Sequence, residues 1–123
     1  MNKIICKRIY EASDHSDGYR ILVDRLWPRG VKKETANINL WAKDIAPSTE
    51  LRKWFGHSAE KFEEFSFLYK AELDDNPFAE GFLKMIEEKL RADNISLLYA
   101  ARDKDCNHAI LLQKWIEEKR MLR

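Results

Sequence analysis

Residues 20–26 read RILVDRL, in which Ile21, Leu22 and Val23 form a continuous apolar run that ends on charged side chains. An unbroken apolar run is typical of a strand buried on both faces, whereas a half-buried strand alternates apolar and polar residues. Residues 95–101 (ISLLYAA) have the same character, and residues 4–9 form a weaker third candidate. Such strands predict a mostly parallel sheet that is covered by helices.

Helix signals begin at Ser48, after the strand that is predicted at residues 20–26. The predicted helix starts are capping residues or a proline in the first turn, namely Ser48, Ser58, Pro77 and Asp105. Gly56 is placed to end the first helix, and residues 27–47 are the least periodic part of the chain. The order of elements predicts an α/β fold: a small single-domain layered structure, spanning residues 1–123, with a mostly parallel sheet flanked by helices.

Composition narrows the classes of function. The 123 residues include 22 Lys and Arg against 21 Asp and Glu, which excludes a strongly basic tail for nucleic acid. Cys6 and Cys106 form no CxxC pair and the three histidines are far apart, so we predict no disulfide framework and no metal site. No apolar stretch approaches about 18 residues, which predicts a cytoplasmic protein without a membrane span. The sequence names no cofactor.

Polar residues follow the two strongest predicted strands. Asp24 and Arg25 come directly after the first apolar run, and Arg102 and Asp103 come after the ISLLYAA run. Ligands of open α/β sheets bind outside the carboxyl ends of the strands, so we expect these side chains to converge. The candidate catalytic residues are carboxylates and a histidine that titrates near neutral pH, namely Asp24, Asp103 and His108.

A second group of candidates would bind the ligand. Arginine recognises phosphate, sulfate or carboxylate through paired hydrogen bonds, and aromatic rings exclude water. The candidate ligand-binding residues are Arg25, Trp27, Arg29, Trp41, Arg52, Trp54, His57, Arg102 and Asn107.

Each candidate has a structural alternative. Asp24 and Arg25 can form an ion pair at the sheet edge, and His57 can pack or cap between two helices. The tryptophans are more typical of a core or a pocket wall than of a platform for bases. Cys106 lies near a predicted helix start, where a thiol pKa is lowered, but a lone cysteine is a weak signal.

Three motifs carry a resemblance to a known family. DRLWPRG at 24–30, WAKDIAPSTELRKWFGH at 41–57, and LLYAARD at 97–103 followed by NHA resemble the YeaO-like proteins, a short branch of the uncharacterised domain family numbered 488. The resemblance covers nearly the whole chain but implies no established activity. Longer relatives carry a Cys-His-Arg triplet where this chain has Asn107, His108 and Ala109, so a thiol nucleophile is missing at the matching position.

Three hypotheses of function remain open from the sequence. The first is a polar pocket for a small anionic ligand, with catalysis undecided. The second is a nucleic-acid-binding regulator that uses Arg25, Arg29, Lys32 and Lys33, although no basic recognition helix is evident. The third is a protein-interaction module with an aromatic surface over residues 27–54. The oligomeric state is left open as well.

Overall fold

A computed structural model describes residues 1–122 and contains one sheet of four parallel strands. The strands are β1 (Ile4–Arg8), β2 (Tyr19–Leu22), β3 (Leu40–Trp41) and β4 (Ile95–Tyr99). The α-helices are α1 (Thr49–Phe55), α2 (Phe62–Asp74), α3 (Ala79–Ala92) and α4 (His108–Met121). Short 3-10 turns occur at His15–Asp17, Lys43–Ile45 and Ala59–Lys61. This small α/β domain with a parallel sheet is the predicted fold class.

The strand order β1-β4-β2-β3 places the last strand in the sequence between β1 and β2. Ile95 is opposite both Ile4 and Tyr19, and Leu98 pairs with Leu22. All five residues of β4 are buried, as expected for the central strand of a covered sheet. The two strongest predicted strands are therefore neighbours, and their carboxyl ends lie at one edge.

The two faces of the sheet are covered differently. The face that bears Ile21 and Leu97 packs against apolar side chains from all four helices in one continuous core. The opposite face, which bears Leu22 and Leu98, packs against residues of the irregular segment 27–41, including Trp27. Irregular chain thus forms the second covering layer.

The strands are shorter than their apolar runs. β2 ends at Leu22 and β4 ends at Tyr99, whereas the predictions extended to residues 26 and 101. The chain leaves the regular ladder after these residues and turns into the loops that carry the polar side chains. The sequence analysis did not predict β3, a strand of two residues within the irregular segment.

Helix α1 begins and ends as predicted. The Ser48 side chain accepts a hydrogen bond from the Leu51 N–H, which satisfies one of the free amides of the first turn. Gly56 adopts the left-handed conformation, with φ of 53°, and donates its N–H to the Arg52 carbonyl.

The other three predicted helix starts precede the observed first residues by four, two and three positions, since α2 begins at Phe62, α3 at Ala79 and α4 at His108. Ser58 makes no side-chain cap, because a 3-10 turn intervenes before α2. Pro77 lies outside α3, which begins at Ala79. Asn107, not Asp105, caps α4, since its side-chain oxygen accepts from the Ile110 N–H. None of the helices in residues 1–122 combines the length and the apolar character that a membrane crossing needs.

Candidate functional site

A cleft of about 860 Å³ opens at the carboxyl ends of β1, β2 and β4. Its lining comes from the loops after these strands, from α1 and α2, and from the start of α4. The residues that line it are Arg8, Tyr10, Asp24, Arg25, Leu26, Trp27, Pro28, Arg29, Pro47, Arg52, Phe55, His57, Phe65, Ala100, Ala101, Arg102, Asp103, Asn107 and His108. The expected convergence of the loops after β2 and β4 is thus observed.

Asp24 and His108 are in direct side-chain contact in the cleft. His108 Nε2 lies 2.9 Å from Asp24 Oδ1, and both side chains are about 15% exposed. The same nitrogen lies 3.0 Å from the Val23 carbonyl oxygen. A carbonyl oxygen only accepts, so this contact is a hydrogen bond in the tautomer that carries the proton on Nε2. Asp24 Oδ2 accepts from the Ala100 N–H at 3.0 Å, whereas Oδ1 has no hydrogen-bond donor among residues 1–122.

Arg25 and Arg52 differ in how their guanidinium groups are used. Arg25 donates from Nε to the Pro47 carbonyl at 2.8 Å and from Nη2 to the Ala46 carbonyl at 3.0 Å. It therefore ties the loop after β2 to the segment that precedes α1. Arg52, on α1, has a buried Nε with no acceptor in the described part of the chain. Arg52 is the arginine with an unused buried donor.

Asp103 and Asn107 are engaged in shaping their own loop. Asp103 Oδ1 accepts from the N–H groups of Asp105 and Cys106 at 2.9 and 3.0 Å. The Asn107 amide donates to the Asp103 carbonyl and its oxygen accepts from Ile110 at the start of α4. These contacts position the start of α4 and, with it, His108.

Arg29, Arg102 and His57 lie in the exposed part of the lining. The sequence hypothesis required Arg29 and Arg102 to face one pocket, and the structure places both in the same cleft. His57 follows Gly56 in a left-handed conformation with φ of 60°. Trp27, which also lines the cleft, donates from its indole N–H to the Val31 carbonyl at 2.6 Å.

Trp41 and Trp54 lie outside the lining. Trp41 donates its indole N–H to the Asp24 carbonyl at 2.8 Å and meets Trp27 edge to face at 5.3 Å. It therefore supports the cleft from behind. Trp54 is 36% exposed on α1, and the Lys61 ammonium lies 5.1 Å from its ring centre.

Two parts of the cleft lining were not predicted from the sequence, namely the residues after β1 and the phenylalanines on the helical side. Arg8 and Tyr10 follow β1, and Arg8 Nε donates to the carbonyls of Ala100 and Ala101. Applying the rule on carboxyl ends to the weaker first strand would have found these two residues. Phe55 and Phe65, stacked at 4.0 Å, line the cleft from the helical side, but their spacing in sequence resembles that of any core residue.

Neither cysteine has the lowered pKa that is expected of a thiol at a helix start. Burial raises the pKa of Cys6 to about 12. The prediction that the Cys106 pKa is lowered is wrong, because desolvation and the adjacent carboxylates of Asp103 and Asp105 raise it. Within residues 1–122, no three His, Cys, Asp or Glu side chains are grouped as metal ligands.

Comparisons with known proteins identify the family of the chain. Residues 3–122 match the family model described as "Inactive DUF488-N3 subclade". The uncharacterized protein YeaO of Escherichia coli (strain K12) is 44% identical over 113 residues, which cover 92% of this chain and 96% of YeaO.

A shorter match is found in mycobacteria. The uncharacterized protein Rv3073c of Mycobacterium tuberculosis is 49% identical over 69 residues, which cover 56% of this chain and 58% of that protein. No solved structure matches the chain significantly. The family model covers nearly the whole chain and YeaO is similar over 92% of it, so the chain belongs to the YeaO-like branch of the DUF488 family, in the group described as "Inactive DUF488-N3 subclade".

Proposed function

We propose that the protein binds a small anionic molecule in the cleft at the carboxyl ends of its strands and does not turn it over. The observation that carries the proposal is Arg52 Nε, a buried guanidinium donor without an acceptor among residues 1–122. An unsatisfied buried donor costs roughly 1–3 kcal/mol, and a bound anion would remove that cost. Charge-assisted hydrogen bonds of this kind are stronger than neutral ones.

The charge balance of the lining supports an anion. Arginines outnumber carboxylates there; the arginines are Arg8, Arg25, Arg29, Arg52 and Arg102, and the carboxylates are Asp24 and Asp103. Converging cations with apolar walls raise the local concentration of an anionic ligand. Arg25 would contribute charge while it holds the loop, and Arg29 and Arg102 would attract the ligand at the exposed side.

Binding without turnover is supported by the family and by the loop before α4. The family model is described as inactive. Asp103, a candidate base, uses Oδ1 to accept two backbone N–H groups, and the thiol of Cys106 has a raised pKa. A thiol with a raised pKa forms little thiolate at neutral pH, which disfavours a nucleophilic mechanism.

Thermal unfolding with inorganic phosphate, sulfate and acetate tests the proposal. An anion at about one hundred times its dissociation constant should stabilise the protein by roughly 2.7 kcal/mol, a rise in Tm of several degrees. Arg52→Met should weaken this response by tenfold or more in dissociation constant, given a lost charge-assisted hydrogen bond of about 1.5–3 kcal/mol.

The matched control is Arg91→Met, because Arg91 is an exposed arginine on α3 outside the cleft. It removes the same charge from the protein and should leave the anion response unchanged. Equal responses of the wild type and both variants would contradict the proposal, as would the absence of any response to the three anions.

A further inference from the structure

We propose that the cleft selects anions that also carry a hydrogen-bond donor, a hydroxyl or an ammonium group, and that Asp24 recognises this donor. The inference rests on the proposed function, since it specifies the ligand of the same site. Two buried side-chain atoms lack partners among residues 1–122, and they are of opposite kind: Asp24 Oδ1 accepts, and Arg52 Nε donates. Both residues line one cleft.

A simple anion completes only half of this site. The oxygens of a fully deprotonated anion such as sulfate or acetate accept from Arg52, but they offer no donor to a carboxylate oxygen, which only accepts. An anion without a donor group would leave Asp24 Oδ1 unsatisfied and would add a like charge to the cleft. The two unpartnered atoms are therefore complementary to one molecule that carries both an anionic group and a donor.

The protein itself does not supply the donor for Asp24. The Ala100 N–H is bound to the other oxygen, Oδ2, at 3.0 Å, which fixes the orientation of the carboxylate. His108 Nε2 contacts Oδ1 at 2.9 Å, but its hydrogen bond is with the Val23 carbonyl, and Oδ1 has none. Oδ1 is thus held in place and left for a group that enters the cleft.

The chemistry of the donor can be either of two kinds. A hydroxyl donates one hydrogen bond to a carboxylate, and an ammonium adds a full positive charge. An ether oxygen of similar size only accepts and cannot satisfy Oδ1. A phosphate or carboxylate ester or acid with a hydroxyl or an amine on its chain fits this description.

Matched probes test the selectivity. Binding is measured by calorimetry at a pH of about 8, above the second phosphate pKa of about 6, so that the esters carry no P–OH donor. The probes are ethyl, 2-methoxyethyl, 2-hydroxyethyl and 2-aminoethyl phosphate, and in parallel butanoate, 4-methoxybutanoate, 4-hydroxybutanoate and 4-aminobutanoate. We expect the hydroxyl and amine probes to bind roughly tenfold or more tightly than the unsubstituted and ether probes of the same series, the effect of one charge-assisted hydrogen bond. The amine and hydroxyl arms distinguish the two sources of the donor.

The variant Asp24→Asn tests whether Asp24 is the residue that recognises the donor. Ala100 N–H still needs an acceptor, so the new amide turns its oxygen to Ala100 and presents its NH₂ group to the cleft. The preference for hydroxyl and amine probes should then disappear, and the ether probe should bind at least as well as the hydroxyl probe. Asp75→Asn is the control for the loss of one negative charge, because Asp75 is exposed after α2 and lies outside the cleft.

The outcomes separate the two proposals. If inorganic phosphate, sulfate and acetate bind but neither series shows a preference for donor probes, the inference is overturned and the proposed function stands. If no anion binds at all, the proposed function fails first. If the preference survives Asp24→Asn, another residue recognises the donor and the assignment to Asp24 is wrong.

Discussion

Two aspartates near β2 lie beside basic side chains, and their carboxylates differ in how many hydrogen bonds they accept from the protein. Asp17, before β2, accepts from the Lys7 ammonium at 2.9 and 3.1 Å, from Arg20, and from the Asp14 N–H. Arg20 in turn donates to the carbonyls of Ala36 and Asn37. Every charged group in this cluster of Lys7, Asp17 and Arg20 has partners from the protein.

Asp24, after β2, is the contrasting case. One of its oxygens accepts a backbone hydrogen bond, whereas the other has the contact with His108 Nε2 but no hydrogen bond among residues 1–122. Arg52, which lines the same cleft, has a buried Nε without an acceptor in those residues. Buried polar groups are paired in the great majority of native structures, so unpaired ones require an explanation. The hydrogen bonds of the first cluster are complete within the protein, whereas those of Asp24 and Arg52 are not, and this difference is the basis of the proposed anion site.

The largest effect we predict is at Asp17. Asp17→Asn should destabilise the protein by roughly 3–5 kcal/mol, because it leaves the buried Arg20 and the half-buried Lys7 without their counter-charge. Urea unfolding monitored by circular dichroism measures this free energy. Asp75→Asn, at an exposed position after α2, is the control and should change stability by less than about 0.5 kcal/mol. Equal effects of the two substitutions would show that the Asp17 cluster does not hold the fold.

The stabilisation at Asp17 should be lost in acid. Burial raises the pKa of Asp17, but the hydrogen bonds from Lys7, the Asp14 N–H and Arg20 outweigh it, so the pKa lies below its ordinary value of 3.8. A carboxyl with a lowered pKa stabilises the folded state above its ordinary pKa and loses this contribution as the pH falls through the folded value.

The pH dependence provides the measurement. The difference in unfolding free energy between the wild type and Asp17→Asn should be constant from pH 7 to about pH 5 and should shrink below the ordinary pKa. Asp75→Asn should show no comparable narrowing that is centred below 3.8. A difference that stays constant into acid would contradict the lowered pKa.

The fold was predictable from the sequence where the chain carries a strong local pattern. The apolar runs that became β2 and β4 identified the sheet, and Ser48 and Gly56 identified the limits of α1. Short elements were not predictable, because the two residues of β3 carry no pattern of their own and pair only through the tertiary structure. The start of α4 was misplaced since Asp103, Asp105 and Asn107 all have side chains that can cap a helix.

The candidate site was predictable in its location and only partly in its composition. The rule on carboxyl ends located the loops after β2 and β4, with Asp24 and His108. It could not show that Trp41 supports the cleft from behind, because the direction of a side chain depends on packing. Nor could it distinguish Arg25 from Arg52, since the acceptors of Arg25 lie more than twenty residues away.

Within the cleft, Arg25 should contribute to stability in the same way as the cluster of Lys7, Asp17 and Arg20. Arg25→Met removes donors to the carbonyls of Ala46 and Pro47, and both of these residues are buried. We expect a loss of about 2 kcal/mol in the free energy of unfolding without any ligand, the cost of unsatisfied buried acceptors. Urea unfolding measures the loss, and Arg91→Met on α3 is the control for the change of charge. A neutral result would mean that Arg25 is free to bind a ligand.

The smallest effect on stability is predicted at Arg52. Arg52→Met removes a buried Nε that has no acceptor in residues 1–122 while it keeps an apolar chain of similar length. The free energy of unfolding without ligand should change by less than about 0.5 kcal/mol, or rise, since an unsatisfied donor is costly in the folded state. Sites built for binding commonly sacrifice stability in this way. Urea unfolding of Arg52→Met beside Arg25→Met measures the contrast, and a loss at Arg52 as large as that at Arg25 would place Arg52 among the residues that hold the fold.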